Sequence, residues 1–198
     1  MEYKIININD INKTEILNFY NNINSSKKIK IDKIRNKKRK IQSVLGEYLL
    51  KELLKIYNIS YSNINYIYNE EGKPYIKDYN IYFNISHSHD YVITVISNKE
   101  IGVDIEKIRK TNISIINRIC TNKEKEYVLS SNIDIEKRLF EIFTLKEAYF
   151  KMKGLNLNNL KSVEFIISNN NVTCNDNSIN IKLLHIINDY IISIIEKK

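Results

Sequence analysis

Helical periodicity is confined to two long segments of this chain, and each is followed by a succession of short strand-like runs. From Lys33 to Tyr57 the apolar residues Ile34, Ile41, Val44, Leu45, Tyr48, Leu49 and Leu53 recur at spacings of three and four, the mark of one helix face. The second such segment runs from Ile135 to Lys153 and is closed by Gly154, the residue type best suited to a helix stop. Strand-like runs follow the first at Tyr61–Tyr68, Pro74–Ile76, Ile81–Ile85 and Tyr91–Ser97, with Ile101–Ile105 as a further short strand. The second is followed by runs at Leu160–Ile167, Ile179–Ile187 and Tyr190–Ile195, separated by the Asn-rich turns SNNN and NDNS. A strand over residues 1–8 and a short helix over 11–22 precede the first long helix. Thr121 with Glu124 forms a capping box for a helix through Leu129. The pattern predicts an α+β fold of two similar halves, residues 1–98 and 99–198, each a main helix followed by a β-meander. No low-complexity linker separates the halves, so tight packing of one on the other is expected.

Composition narrows what such a fold does. The 198 residues allow one large domain or two small ones, and a 43% hydrophobic fraction supports a real core. The apolar runs are too short for a transmembrane helix, and MEYKIININD has no apolar stretch of the kind a secretory signal needs. Cys120 and Cys174 make neither a disulfide framework nor a metal-binding spacing, so a cytoplasmic location is expected. The net charge of +8 is concentrated in KKIKIDKIRNKKRK, Lys27 to Lys40. Such a run reads either as a solvated helix face or as a surface for a polyanionic ligand. Nucleic acid is not expected: there is no RRM-like or zinc-finger signature, and the 14 tyrosines are spread along the chain.

Three stretches carry candidate chemistry. In IGVDIEK, Ile101 to Lys107, strand alternation points Asp104 and Glu106 the same way. Neighbouring carboxylates repel unless a cation or protons lie between them, and oxygen ligands suit a hard ion such as Mg2+. Two solvated acids at a strand end are the plainer alternative. Gly102 admits a close backbone or ligand. In FTLKEAYFKMKG, Phe143 to Gly154, the residues Phe143, Glu147 and Lys151 share a helix face, with Lys146 beside Glu147. Alone this is a surface ion-pair ladder. Buried against the Asp104/Glu106 edge, Glu147 becomes a third oxygen ligand or a base, and Lys146 and Lys151 become phosphate ligands or a proton donor. In NISHSHD, Asn84 to Asp90, lie two of the three histidines. Zinc lacks further ligands there, since His185 is remote in sequence; a surface turn is one reading, and a strand end that aims Ser86 and His87 at an anion is the other.

The order EGKP, FNISHS, IGVDIE and F-x-x-KEAYFK-x-x-G resembles the 4′-phosphopantetheinyl transferases of the surfactin (Sfp) type, over roughly residues 35–165. The family's helix motif opens with Trp, and this chain has Phe143 there. The resemblance implies two α+β halves related by a pseudo-twofold, with coenzyme A in the cleft between them. It implies transfer of the phosphopantetheine arm of coenzyme A to a serine of an acyl or peptidyl carrier protein, with release of 3′,5′-ADP and a need for Mg2+, or Mn2+ in its place. Asp104 and Glu106 correspond to metal ligands, with Glu147 as third ligand or base. Lys151 corresponds to the group that neutralises or protonates the leaving phosphate, and Lys146 to a contact of the coenzyme phosphates. Ser86 and His87 correspond to residues at the 3′-phosphate, and Lys73 and Pro74 to an element facing the adenosine end. The family's Arg on the first long helix falls in register on Gln42, with Lys38 or Arg39 one turn earlier as substitute. Carrier proteins are acidic, which suits the positive charge. Two full halves imply a monomer. Three rivals stand beside this reading: a Mg2+-dependent phosphohydrolase, an anion- or RNA-binding module built on Lys27–Lys40, and a transferase that binds coenzyme A without reacting.

Overall fold

Both long periodic segments fold as helices, α3 (Lys37–Leu54) and α6 (Ile135–Lys153), and among the described residues each is the longest helix of its own unit. The computed structural model describes residues 1–169 and 171–198. Its internal contacts divide it into Met1–Lys99 and Glu100–Lys198. The first unit comprises β1 (Glu2–Asn7), α1 (Lys13–Asn21), α2 (Ser25–Asp32), α3, β2 (Asn65–Tyr68), β3 (Pro74–Lys77), β4 (Tyr82–Ser88) and β5 (Tyr91–Ser97). The second comprises β6 (Ile101–Lys107), α4 (Ser114–Ile119), α5 (Asn122–Leu129), α6, β7 (Phe165–Ser168), β8 (Asn171–Cys174), β9 (Ile179–Leu184) and β10 (Tyr190–Lys197). Among the described residues, and leaving aside short 3-10 turns, both units therefore run strand, three α-helices, four strands, an α+β order stated twice. Among the described residues no helix is long and apolar enough to cross a membrane.

The sheets are antiparallel but are not simple meanders. In the first unit the order is β1–β5–β4, and in the second β6–β10–β9; each unit adds a two-stranded ribbon, β2–β3 or β7–β8. The last strand of each unit lies in the middle, and the strand that precedes the helices returns to pair with it. The physical reason is visible in the side chains. YVITVIS and YIISIIEK are nearly continuous apolar runs and are buried along most of their length, as a central strand must be.

Several boundaries are set by local chemistry. Asn36 caps α3 through Oδ1, which accepts from Arg39 N at 2.9 Å, so the helix starts later than Lys33. The basic run is thereby split between α2 and the first turn of α3. Thr121 and Glu124 form the capping box of α5. Gly154 ends α6 in the left-handed conformation, with φ of 67°. The sequence pattern had not announced α2, α4 or β8. The expected SNNN turn includes Asn170, which lies outside the described residues; Asn171 opens β8.

Each unit has its own core. Leu50, Leu53, Leu54, Phe83 and Ile96 centre the first, and Ile142, Leu145, Ala148, Phe165 and Ile195 the second. Gly102 on β6 sets how closely α6 lies on its sheet. A Cβ built there would stand 2.1 Å from the carbonyl oxygen of Ala148 and 2.3 Å from the amide nitrogen of Met152. Only hydrogen fits at that point.

Candidate active site

The close approach at Gly102 fixes which side of β6 faces α6. Alternation places Asp104 and Glu106 on the same side as Gly102. In the paired strand Ser193 stands opposite Asp104, and its hydroxyl is 2.7 Å from that of Thr144 on α6. Asp104 is 4% exposed, so it is no solvated strand end. Its Oδ1 accepts from the Lys151 ammonium at 2.6 Å, and that ammonium is 3.9 Å from Oε2 of Glu147, one turn earlier on α6. Glu106, at the strand's outer end, is paired with Arg109 at 3.0 Å. The ladder expected of an isolated surface helix is thus recruited to a buried strand.

The electrostatics follow from this packing. Burial raises the Glu147 carboxyl, the charge of Asp104 raises it further, Lys151 opposes the rise and Glu106 adds to it; the carboxyl is pushed up to about 7. A carboxyl poised there exchanges its proton near neutrality, where a general base is most useful. Among the described residues no three His, Cys, Asp or Glu side chains are already drawn together at metal-holding distances. The donor chemistry nevertheless fits a hard divalent cation: the groups are all carboxylates, they repel one another, and one ammonium already spans Asp104 and Glu147.

Lys146 takes a different place from the one its motif suggests. It is wholly buried, and its ammonium lies 2.7 Å from Glu124 Oε2, 2.8 Å from Leu160 O and 2.7 Å from Val163 O. Those three acceptors take up the three N–H bonds of the ammonium, which leaves none for a phosphate. Neighbours on a helix point about 100° apart, so Glu147 can face β6 while Lys146 enters the interior. Glu124 completes the arrangement: one oxygen accepts from Thr121 N and from Lys146, the other from Phe165 N. The capping box made Glu124 visible in the sequence, but nothing local marked it as the partner of Lys146. Phe143, at the family's Trp position, is partly buried against the second unit's core.

In the first unit the NISHSHD segment is a strand and a tight turn. Ser86 and His87 belong to β4, and His89 and Asp90 form the two-residue connection to β5, with φ of 49° at His89. The turn is tied to α3 at two points. Gln42 Nε2 donates to His89 O at 2.8 Å, and Lys38 Nζ is 2.8 Å from Asp90 Oδ1. The role of Gln42, buried at 5% exposure, was not legible in the sequence. Neighbours in a strand leave opposite faces, so Ser86 and His87 flank β4 rather than meet on one side. Lys73 precedes β3, whose first residue is Pro74; its backbone N–H donates to Asn69 Oδ1 at 2.7 Å, and its ammonium lies 5.5 Å from the Tyr75 ring centre. Arg39 is exposed in the first turn of α3. Much of the basic run has internal partners: Lys27 with buried Glu47 at 2.8 Å, Lys40 with Asp32 at 2.7 Å, and Lys28 and Lys30 over the rings of Tyr20 and Tyr68.

Known proteins share both units. Residues 100–195 match the family described as the 4′-phosphopantetheinyl transferase superfamily, and residues 11–99 match the one described as 4′-phosphopantetheinyl transferase, N-terminal. The 4′-phosphopantetheinyl transferase gsp of Aneurinibacillus migulanus is 35% identical over 149 residues, which is 74% of this chain and 62% of the relative. The 4′-phosphopantetheinyl transferases ffp of Bacillus subtilis and Sfp of its strain 168 are each 30% identical, over 138 and 142 residues. Those matches cover 68% and 70% of this chain, and 62% and 63% of the relatives. The chain thus spans less than two thirds of the length of the proteins it matches.

Proposed function

This chain belongs to the 4′-phosphopantetheinyl transferase superfamily, and from that premise we propose that it moves the 4′-phosphopantetheine arm of coenzyme A to a serine hydroxyl of an acyl or peptidyl carrier protein. The observation that carries the reading is the meeting of Asp104, Glu147 and Lys151, from a strand and a helix, at 2.6 and 3.9 Å. In the transfer, the serine oxygen forms a bond to the phosphorus that bears the pantetheine arm, and the bridging P–O bond of the pyrophosphate breaks. The leaving group is 3′,5′-ADP.

The residues divide this work. Asp104, Glu106 and Glu147 would hold Mg2+, or Mn2+, through carboxylate oxygens. Bound there, the cation would draw negative charge from the pyrophosphate and make the phosphorus more electrophilic. Glu147 is also the carboxylate assigned to accept the serine proton. Lys151 supplies positive charge or a proton to the departing phosphate. In the first unit, His87 and Lys73 bind the phosphate and adenosine end of the coenzyme beside Pro74; Ser86 leaves the other face of β4 and is the weaker candidate for the 3′-phosphate. Exposed Arg39 is the residue of the basic run assigned to the coenzyme. The excess positive charge suits an acidic carrier protein and raises the encounter rate. The protein acts as a cytoplasmic monomer.

The test is the intact mass of an apo carrier protein after incubation with this protein, coenzyme A and Mg2+. A gain of one phosphopantetheine arm, lost when EDTA is present, is expected. Consumption of coenzyme A with no gain on any carrier would mark a hydrolase instead.

A further inference from the structure

Asp104 is buried and its carboxylate lies within 2.6 Å of a cation supplied by the protein itself, the Lys151 ammonium. A buried carboxylate needs such a partner, because burying an unpaired charge is costly. The ammonium also lies 3.9 Å from Glu147. The two carboxylates therefore converge on one point, and that point is filled by Lys151. A divalent cation taken up by the same carboxylates would meet this ammonium at a separation where like charges repel strongly. Both cannot keep the station. Lys151 can leave it: its side chain is 30% exposed and ends a flexible four-carbon stem. Asp104 cannot, being held in β6 between neighbours paired with β10.

We infer that Lys151 is an internal counter-ion of these two carboxylates, which holds Asp104 and Glu147 together until a divalent cation displaces its ammonium toward the substrate phosphates. The inference rests on the metal site proposed above and gives Lys151 a second station in it. One consequence is that the ammonium is released only when the cation is in place, so a phosphate meets both positive charges or neither. A second is that affinity for the bare cation is weakened by the need to expel Lys151.

The test uses the full chain without coenzyme A. Mn2+ is titrated and its free signal followed by electron paramagnetic resonance, in the wild type and in Lys151→Met and Lys151→Arg. Lys151→Met removes the competing charge and should bind Mn2+ at least about tenfold more tightly. Lys151→Arg keeps the charge and should stay near the wild type. Equal or weaker binding by Lys151→Met would overturn the inference while the cation site stands. If neither the wild type nor Lys151→Met takes up Mn2+, the cation site itself fails, and the inference with it. A second measurement needs no variant: acetylation of Lys151 by acetic anhydride, read by peptide mass spectrometry with and without Mg2+. Several-fold faster labelling in Mg2+ is expected, and an unchanged rate would refute the displacement.

Discussion

The ammonium of Lys146 lies 2.7 Å from Oε2 of Glu124, and both side chains are wholly out of solvent. This pair joins α6 to the capped start of α5, and through Phe165 N to β7. Removing one partner leaves the other charge buried and unpaired, which costs about 3–5 kcal/mol. Lys146→Met should therefore lower the unfolding free energy in urea by that amount. Lys146→Met with Glu124→Gln should recover part of it, because no lone charge remains. The KM for coenzyme A of the folded protein should change little. A variant of normal stability with weakened coenzyme binding would return Lys146 to the phosphates.

Gly102→Ala tests how α6 is seated. The added methyl would lie 2.1 Å from Ala148 O and 2.3 Å from Met152 N, both backbone atoms that cannot swing aside. Overpacking of this kind costs about 1–3 kcal/mol and shifts the helix. The shift moves Glu147 and Lys151 relative to Asp104, so transfer should fall by more than the loss of folded protein explains. Thermal melts and the intact-mass rate, measured on the same sample, separate the two effects.

Glu147 gives a pH dependence with a definite sign. Its carboxyl is raised from the usual 4.5 to about 7, chiefly by burial. The folded state thus holds a proton that the unfolded state gives up, and the associated stability is present below about pH 4.5 and lost as pH rises through about 7. Glu147→Gln carries no such charge. In EDTA its melting temperature should match the wild type near pH 5 and exceed it near pH 8, by the equivalent of about 1–3 kcal/mol. A gap that does not widen with pH would show that Glu147 is ionised throughout this range.

Asp104→Asn preserves the shape of the side chain and removes its charge. Transfer should drop at least about a hundredfold, the scale for losing a fixed group that stabilises developing charge. The circular dichroism spectrum should be unchanged. Wild-type rates would remove Asp104 from the metal site.

His87→Ala should raise the KM for coenzyme A about tenfold, with a smaller effect at saturation, since a phosphate contact made before and during reaction contributes mainly to binding. Ser86→Ala should do less. An unchanged KM for His87→Ala would remove the clamp.

What the sequence determined by itself was local. Periodicity of 3.6 marked α3 and α6, the Thr121–Glu124 pair marked the start of α5, and Gly154 marked the end of α6, because each signal lies within one turn or one strand of the feature it announces. The α+β order of two halves was legible on the same basis. The short α2, α4 and β8 were not, being too brief for a period to emerge. Tertiary structure decided everything that depends on which partner a side chain meets. Lys146 and Glu147 are neighbours of equal polarity in the sequence. The position of β6 and the depth of Glu124 send one into the interior and bring the other beside Asp104. Gln42 became an anchor for His89 only because α3 packs beside the β4–β5 turn. β5 and β10 took the centres of their sheets because a nearly continuous apolar strand is stable only where both edges are paired. Such choices rest on contacts between residues far apart in the chain, and no local pattern contains them.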